Sequence, residues 1–265
     1  MSIPITWVDA FSDTLGGGNP AAVCLLEEPL DDARMQALAY ELGIAETAYL
    51  TATEDPLVFG LRWFSPATEI DLCGHATLAS AHALRQGGTV DGSSLLTFHT
   101  RSGALHASFE GDRVVLDFPC DPISVVPLPD ALKGEWPDAV ELCGESTNFF
   151  FVVVSSAEVV RAYAPDLVAI ASASPKTLLL TASGEPGSDA DYVLRVFGPN
   201  VGIPEDPATG SAQCAAGPYW AQRLGRTDLI ARQLSARGAV LSVRPRGERV
   251  GIAGHATSVL TGHLC

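Results

Sequence analysis

The chain repeats itself, and an internal repeat narrows the possible folds more than any bulk property does. Arg62-Trp-Phe-Ser-Pro66 matches Arg195-Val-Phe-Gly-Pro199 in the pattern Arg-x-Phe-x-Pro. Just downstream, Glu69 to Ala79 (Glu-Ile-Asp-Leu-Cys-Gly-His-Ala-Thr-Leu-Ala) aligns with Glu205 to Ala215 (Glu-Asp-Pro-Ala-Thr-Gly-Ser-Ala-Gln-Cys-Ala) once a three-residue insertion is allowed. Each copy runs strand, proline-containing loop, glycine, apolar helix. Two consecutive motifs in one order describe a duplicated unit, so a pseudo-dimer of similar halves is expected, and 265 residues suffice for two domains.

Local patterns agree with that division. Val-, Leu-, Phe- and Thr-rich runs bounded by Gly, Asp or Pro predict strands at 5–8, 21–25, 47–51, 61–64, 95–99, 105–109 and 114–118, and again at 149–154, 177–181, 192–197, 239–243, 250–253 and 257–260. Met35, Leu38, Ala39 and Leu42 predict a helix over 31–42, stopped by Gly43. Helices are also expected over 74–84 and from about 210 to 224, the first apolar all round and therefore buried. Four prolines between Asp117 and Pro129 read as a domain linker.

Arg62 and Arg195 lie inside apolar strand-like segments, where a charge needs a partner. The repeat supplies one for each, Glu69 and Glu205. Each copy also starts a helix at a glycine, Gly74-His75-Ala76 and Gly210-Ser211-Ala212. A helix N-terminus offers unpaired N–H groups, and glycine admits a ligand to the backbone. Both glycines also suit close helix–sheet packing. Their repetition favours an anion site fit for a carboxylate.

Sixteen basic against 31 acidic residues leave a formal charge of −15, which repels nucleic acid and anionic bilayers. Neither is an expected partner. No run approaches the roughly 20 apolar residues of a membrane span, and Met1 to Ala10 lacks a signal-peptide pattern; a cytoplasmic location is expected. The six cysteines have no CxxC spacing, so neither a disulfide framework nor a zinc ribbon is indicated. His75 and His82 share a helix face, but Cys73-Gly-His75 looks too crowded for a metal pair and offers no full ligand set. No metal or cofactor is expected.

Asp9-Ala-Phe, Gly18-Asn-Pro-Ala-Ala-Val23, Glu46-Thr-Ala-Tyr-Leu50, Arg62-Trp-Phe-Ser-Pro66, Asp71-Leu-Cys-Gly-His-Ala-Thr-Leu-Ala79 and Glu205-Asp-Pro-Ala-Thr-Gly-Ser-Ala212 occur in that order across essentially the whole chain. In these motifs the sequence resembles the phenazine-biosynthesis PhzF-like family. The resemblance implies a diaminopimelate-epimerase-like fold of the α/β (α+β) class, with two pseudo-symmetric domains at 1–121 and 128–265. Each is expected to be a curved, mostly antiparallel sheet wrapped around a central helix. The active site is expected between them, the last strand is free to return to the first domain, and a homodimer is expected.

The resemblance further implies a cofactor-independent isomerase that moves a proton on a small carboxylated compound, cyclic or aromatic amino compounds included. Its catalytic glutamate matches Glu46, and its other polar groups match His75, Asp206 and Ser211. A carboxylate in a largely apolar cleft can take a proton at one carbon and return it at another, and Glu46 stands between Ala45 and Ala48. Gly74, Gly210 and Cys73 are expected at the substrate; Asn19 either contacts it or shapes its Gly-Asn-Pro turn. Epimerases of this fold use paired cysteines, but Thr209 stands where Cys73 would need its counterpart, which disfavours a two-thiol racemase. Racemisation or epimerisation on the same scaffold, and ligand binding without turnover, are the competing readings.

Overall fold

The apolar runs form strands and the periodic segments form helices in the computed structural model of the chain, which describes residues 2–136 and 138–265. Two units result. One runs to Asp117 and takes in Ala253–Cys265; the other is Phe118–Ile252.

The first unit contains β1 (Ile3–Ala10), β2 (Asn19–Leu26), α1 (Asp32–Leu42), β3 (Glu46–Ala52), β4 (Val58–Phe64), β5 (Glu69–Ile70), α2 (Gly74–Gln86), β6 (Leu96–Thr100), β7 (Gly103–Glu110) and the start of β8 (Arg113–Pro119). Antiparallel β1–β2 is followed by a parallel step to β3, an antiparallel β3–β4 pair, and a parallel step from β4 to β6. Each parallel step is bridged by a helix, as parallel pairing requires. Asp31 caps α1 by accepting the Arg34 N–H at 2.8 Å. Met35 and Ala39 of α1 pack with Ile3, Ala22, Tyr49 and Phe64 on one sheet face. Alternation along β3 then sends Glu46, Ala48 and Leu50 to the other face. There α2, buried from Gly74 through Ala81, packs against β1, β2, β3, β7 and the late strand Ala256–Leu264. Its hydroxyls bond back along the helix, Thr77 to the Cys73 carbonyl at 2.6 Å and Ser80 to that of Ala76 at 2.7 Å.

The second unit continues with β9 (Ser124–Val125), β10 (Val140–Glu145), β11 (Phe149–Val154), α3 (Ala157–Ala162), α4 (Leu167–Ala173), β12 (Thr177–Ser183), β13 (Tyr192–Gly198), β14 (Ile203–Asp206), α5 (Gln213–Leu224), β15 (Leu229–Gln233) and β16 (Ala239–Arg246). Strand β17 (Arg249–Gly254) leads the chain back, and β18 (Ala256–Leu264) pairs antiparallel with β1, from Ile3 opposite Leu264 to Ala10 opposite Ala256. The connectivity repeats that of the first unit: antiparallel β10–β11, parallel β11–β12, antiparallel β12–β13, parallel β13–β15, antiparallel β15–β16. No helix among the described residues is long and apolar enough to cross a membrane.

The repeated arginines hold equivalent clasps. Arg62 grips both oxygens of Glu69 at 2.7 and 2.8 Å, and Arg195 grips both of Glu205 at 2.7 and 2.9 Å. Each guanidinium lies over the phenylalanine two residues on, 5.2 Å from the Phe64 ring and 4.9 Å from Phe197. Their supports differ. Arg195 also donates to the carbonyls of Val160 and Tyr163 at the end of α3, whereas Glu69 has a second cation, Arg101, at 2.8 Å. Arg195→Met is therefore expected to cost about 3 kcal/mol, because it leaves the Glu205 carboxylate and the Val160 and Tyr163 carbonyls without their shared donor, and Arg62→Met about 1 kcal/mol, because Arg101 remains on Glu69. Urea unfolding of the two variants checks this; equal losses would show that Arg101 does not stand in for Arg62.

The proline-rich stretch corrects the sequence expectation. It is not a free linker between domains at 121 and 128: the division falls after Asp117, and the stretch is bonded into the second unit. Pro218 lies inside α5 and has no N–H for the carbonyl of Cys214. The backbone N–H of Asp121 fills that gap at 2.9 Å. The Asp121 carboxylate is itself buried and accepts from the Ser146 hydroxyl at 2.7 Å, the Thr147 N–H at 2.8 Å, and Asn148. Burial alone would raise its pKa, but these donors together lower it. A depressed folded-state pKa contributes stability above the unfolded value and loses it as pH falls through the folded value. Asp121→Asn is thus expected to cost about 2 kcal/mol at pH 7, with the difference from wild type shrinking at about pH 3 and below. Denaturant melts at both pH values measure it; a constant difference would contradict the assignment.

Candidate active site

Three chain segments meet in the first unit: the start of β2 with Asn19, the start of β3 with Glu46, and the start of α2 with Cys73 and His75. Parallel pairing sets Ala21 opposite Glu46, bringing both strand starts to one end of the sheet. His75 Nε2 lies 2.9 Å from Glu46 Oε2, and its Nδ1 lies 3.2 Å from Asn19 Nδ2 and 3.5 Å from Cys73 Sγ. Asn19 is fully buried and the other three are at most 7% exposed. The contact of the Glu46 carboxylate with His75 runs through Oε2.

Burial by itself lowers the proton affinity of His75, yet the Cys73 and Glu46 side chains against it raise it well above the usual histidine range. Burial also pushes the Cys73 thiol upward, while the His75 ring beside it pulls the other way. A charged ring needs an acceptor at Nδ1, the amide oxygen of Asn19; the amide nitrogen at 3.2 Å suits the neutral ring with hydrogen on Nε2. The short Glu46 contact exists in both forms and decides the direction. On the same helix His82 is held down at about 4 by burial and by Arg85; its Nε2 pairs with the Ser258 hydroxyl at 3.1 Å.

Cys73 and His75 lie side by side at the start of the helix. Cys73 is extended, at φ −140° and ψ 107°, and the helix begins immediately after it. That turn brings Sγ to 4.0 Å from Nε2. Glu46 completes a trio whose ligand atoms lie within 4.8 Å of one another, the one group of its kind found among the described residues.

Asp206, Gly210 and Ser211 belong to the second unit. Asp206 ends β14, and its Oδ2 accepts the Thr209 hydroxyl at 2.6 Å. The helix starts later than expected. Gly210–Ala212 form a tighter turn, with Gln213 N–H bonded to the Gly210 carbonyl and Cys214 N–H to that of Ser211, both at 3.0 Å, before α5 proper begins. The cause is Gln213, whose side chain takes the Thr209 carbonyl at 3.1 Å. Sequence reasoning missed the scaffold behind this turn: Tyr192 donates to Gln213 at 2.6 Å, while Gln233 donates to the Asp206 carbonyl at 2.6 Å and accepts the Thr209 N–H at 2.8 Å. Gln213 and Gln233 are buried polar residues in apolar elements, and that mismatch was the available signal.

The register ties the copies together. Arg62 sits opposite Tyr49 and Arg195 opposite Leu180, so Glu46 corresponds to Thr177, while Cys73 and His75 correspond to Thr209 and Ser211. The carboxylate–imidazole pair exists in one copy only.

Residues 8–262 match the family described as phenazine biosynthesis-like protein, PhzC-PhzF. An uncharacterised isomerase of Pseudomonas aeruginosa is 43% identical over 264 residues, covering 100% of this chain and 99% of that protein. A solved PhzF-family protein of Enterococcus faecalis is similar at a TM-score of 0.94 and 36% identity over 100% of both chains. A hydroxyproline epimerase of Agrobacterium vitis shares the fold at a TM-score of 0.63 and 12% identity, over 99% of this chain and 92% of that one.

Proposed function

The chain belongs to the phenazine biosynthesis-like family, and from that membership we propose that it is an isomerase that moves a proton on a small carboxylated compound without a cofactor. Cyclic and aromatic amino compounds are included. The observation that carries this is the buried 2.9 Å contact between Glu46 and His75.

Glu46 takes a proton from one substrate carbon, the electron pair stays on the substrate and shifts the unsaturation, and Glu46 returns the proton to a second carbon. His75, bonded to the other carboxylate oxygen, steadies the negative charge of Glu46 before the transfer and after the return. Asn19 fixes the ring so that Nε2 faces the carboxylate. Asp206 and Ser211 are assigned to substrate recognition on the family resemblance, with Thr209 orienting Asp206.

Incubation in deuterium oxide with a panel of small carboxylates tests the proposal. Deuterium appearing at a migrated position supports it. Inversion at an α-carbon would establish a racemase or epimerase instead, and binding without exchange would establish a non-catalytic member.

A further inference from the structure

Cys120 and Cys214 take no part in the candidate site, and a single backbone bond holds them side by side. The Asp121 N–H donates to the Cys214 carbonyl at 2.9 Å. Because that nitrogen is joined to the carbonyl carbon of Cys120, the bond confines the α-carbons of Cys120 and Cys214 to about 6 Å of each other, inside the range of roughly 4.4–6.8 Å that a disulfide spans. We propose that this pair is an oxidation site: a hydroperoxide closes Cys120 and Cys214 into a disulfide that pins the segment after β8 to the start of α5.

Both residues lie in the second unit, and both are free thiols, Cys214 buried in the first turn of α5 and Cys120 partly exposed. The segment carrying Cys120 is fixed from both sides. Its own N–H donates to the Glu248 carbonyl at 2.8 Å, and the next residue, Asp121, is anchored through its carboxylate to Ser146, Thr147 and Asn148. Cys120 Sγ meets the Gly247 carbonyl at 3.5 Å, a weak contact that rotation about χ1 gives up at little cost. The backbone is therefore set for closure before an oxidant arrives.

The chemistry takes two steps. Cys120, the more accessible thiol, meets the peroxide first: its sulfur attacks the O–O bond, an S–O bond forms, and the peroxide's other oxygen leaves with the thiol proton. Sulfur is oxidised by two electrons and the peroxide reduced by two. The Cys214 sulfur then displaces hydroxide from the Cys120 sulfur, the S–S bond forms as the S–O bond breaks, and hydroxide carries the second thiol proton away as water. Burial and Glu248 hold the Cys120 thiol up against the opposing pull of Arg249, while burial, with Asp121 and Cys120 nearby, pushes Cys214 up to about 12. Scarce thiolate makes closure slow. The same lack of thiolate stabilisation disfavours the reduced pair, so the disulfide, once formed, resists reduction. None of this depends on the isomerase reading.

The full chain carrying Cys265→Ser, which removes the exposed terminal thiol, is treated with hydrogen peroxide, then denatured and blocked with N-ethylmaleimide. Peptide mass spectrometry should find Cys120 linked to Cys214, with Cys24, Cys73 and Cys143 outside the link, and dithiothreitol in denaturant should free both. Adding Cys120→Ser should slow loss of the Cys214 thiol by about 10-fold or more. Three results overturn the site: no link between the two, Cys120 carried on to sulfinic acid with Cys214 still reduced, or an equal yield of the link from chain unfolded in urea before oxidation. Loss of the Cys214 thiol at an unchanged rate in Cys120→Ser overturns it as well. Should circular dichroism show that variant unfolded, the native-against-urea comparison in the Cys265→Ser chain decides.

Discussion

Glu46→Gln is expected to cut deuterium incorporation into substrate by about 10²- to 10⁴-fold, the range of a lost general acid–base group, with the fold unchanged. Glutamine keeps the volume of the side chain, and its carbonyl oxygen can still face the Nε2–H of His75. What it cannot do is carry a proton between two carbons. Stability should fall, because Glu46 helps hold the buried His75 ring protonated and the substitution removes one partner of that pair. Exchange rates followed by NMR, alongside thermal melts, separate the two effects. A Glu46→Gln protein that exchanges at the wild-type rate would place the proton carrier elsewhere, and Cys73 would be the next residue to test.

Gly18→Ala should be among the most damaging single substitutions in the first unit, costing about 3 kcal/mol or more. Gly18 adopts φ +61°, and a Cβ there would lie 2.1 Å from the Ala10 carbonyl oxygen and 2.9 Å from its carbon. Those are backbone atoms at the end of β1, and Ala10 is paired with Asn19 in the sheet, so neither side can move without opening the β1–β2 ladder. The damage reaches the site directly: Asn19 is the next residue and steers His75. Gly16 provides the control. Its φ is +82°, and a Cβ added there would meet no atom within 4 Å, so Gly16→Asn, a residue that tolerates this region, should cost about 1 kcal/mol or less. Chemical denaturation of both variants measures the contrast; comparable losses would mean that backbone conformation, not the Ala10 clash, governs this turn.

Much of the scaffold was readable because it depends on short-range pattern. Asp31 and Gly43 delimit α1, the apolar strand runs appear where alternation and turn residues put them, and the Arg-x-Phe repeat predicted both Arg–Glu clasps. Elements broken by charge were less visible. Strands β10 and β15 carry Glu141, Glu145 and Arg232 among few apolar residues, which weakens any periodic signal. The candidate site was legible only as a set of residue types. That Glu46 faces α2 follows from alternation, but its 2.9 Å approach to His75 joins residues far apart in the chain. The role of Asp121 was hidden for a similar reason: it depends on a carbonyl left unserved by Pro218, far along the sequence. Four prolines in one stretch suggested a loose tether, and only the partners of that stretch show otherwise.

The pairing of β1 with β18 has a consequence for synthesis on the ribosome. Translation delivers N-terminal segments first, and domains generally fold as units in that order. Here the second unit is continuous and can close once Ile252 has emerged, whereas the first waits for the strand Ala256–Leu264. The half that leaves the tunnel first is therefore completed last. Until then β1 presents an uncovered edge, the kind of surface that recruits other chains, and the nascent protein spends that interval with its carboxylate–imidazole pair on an unfinished sheet.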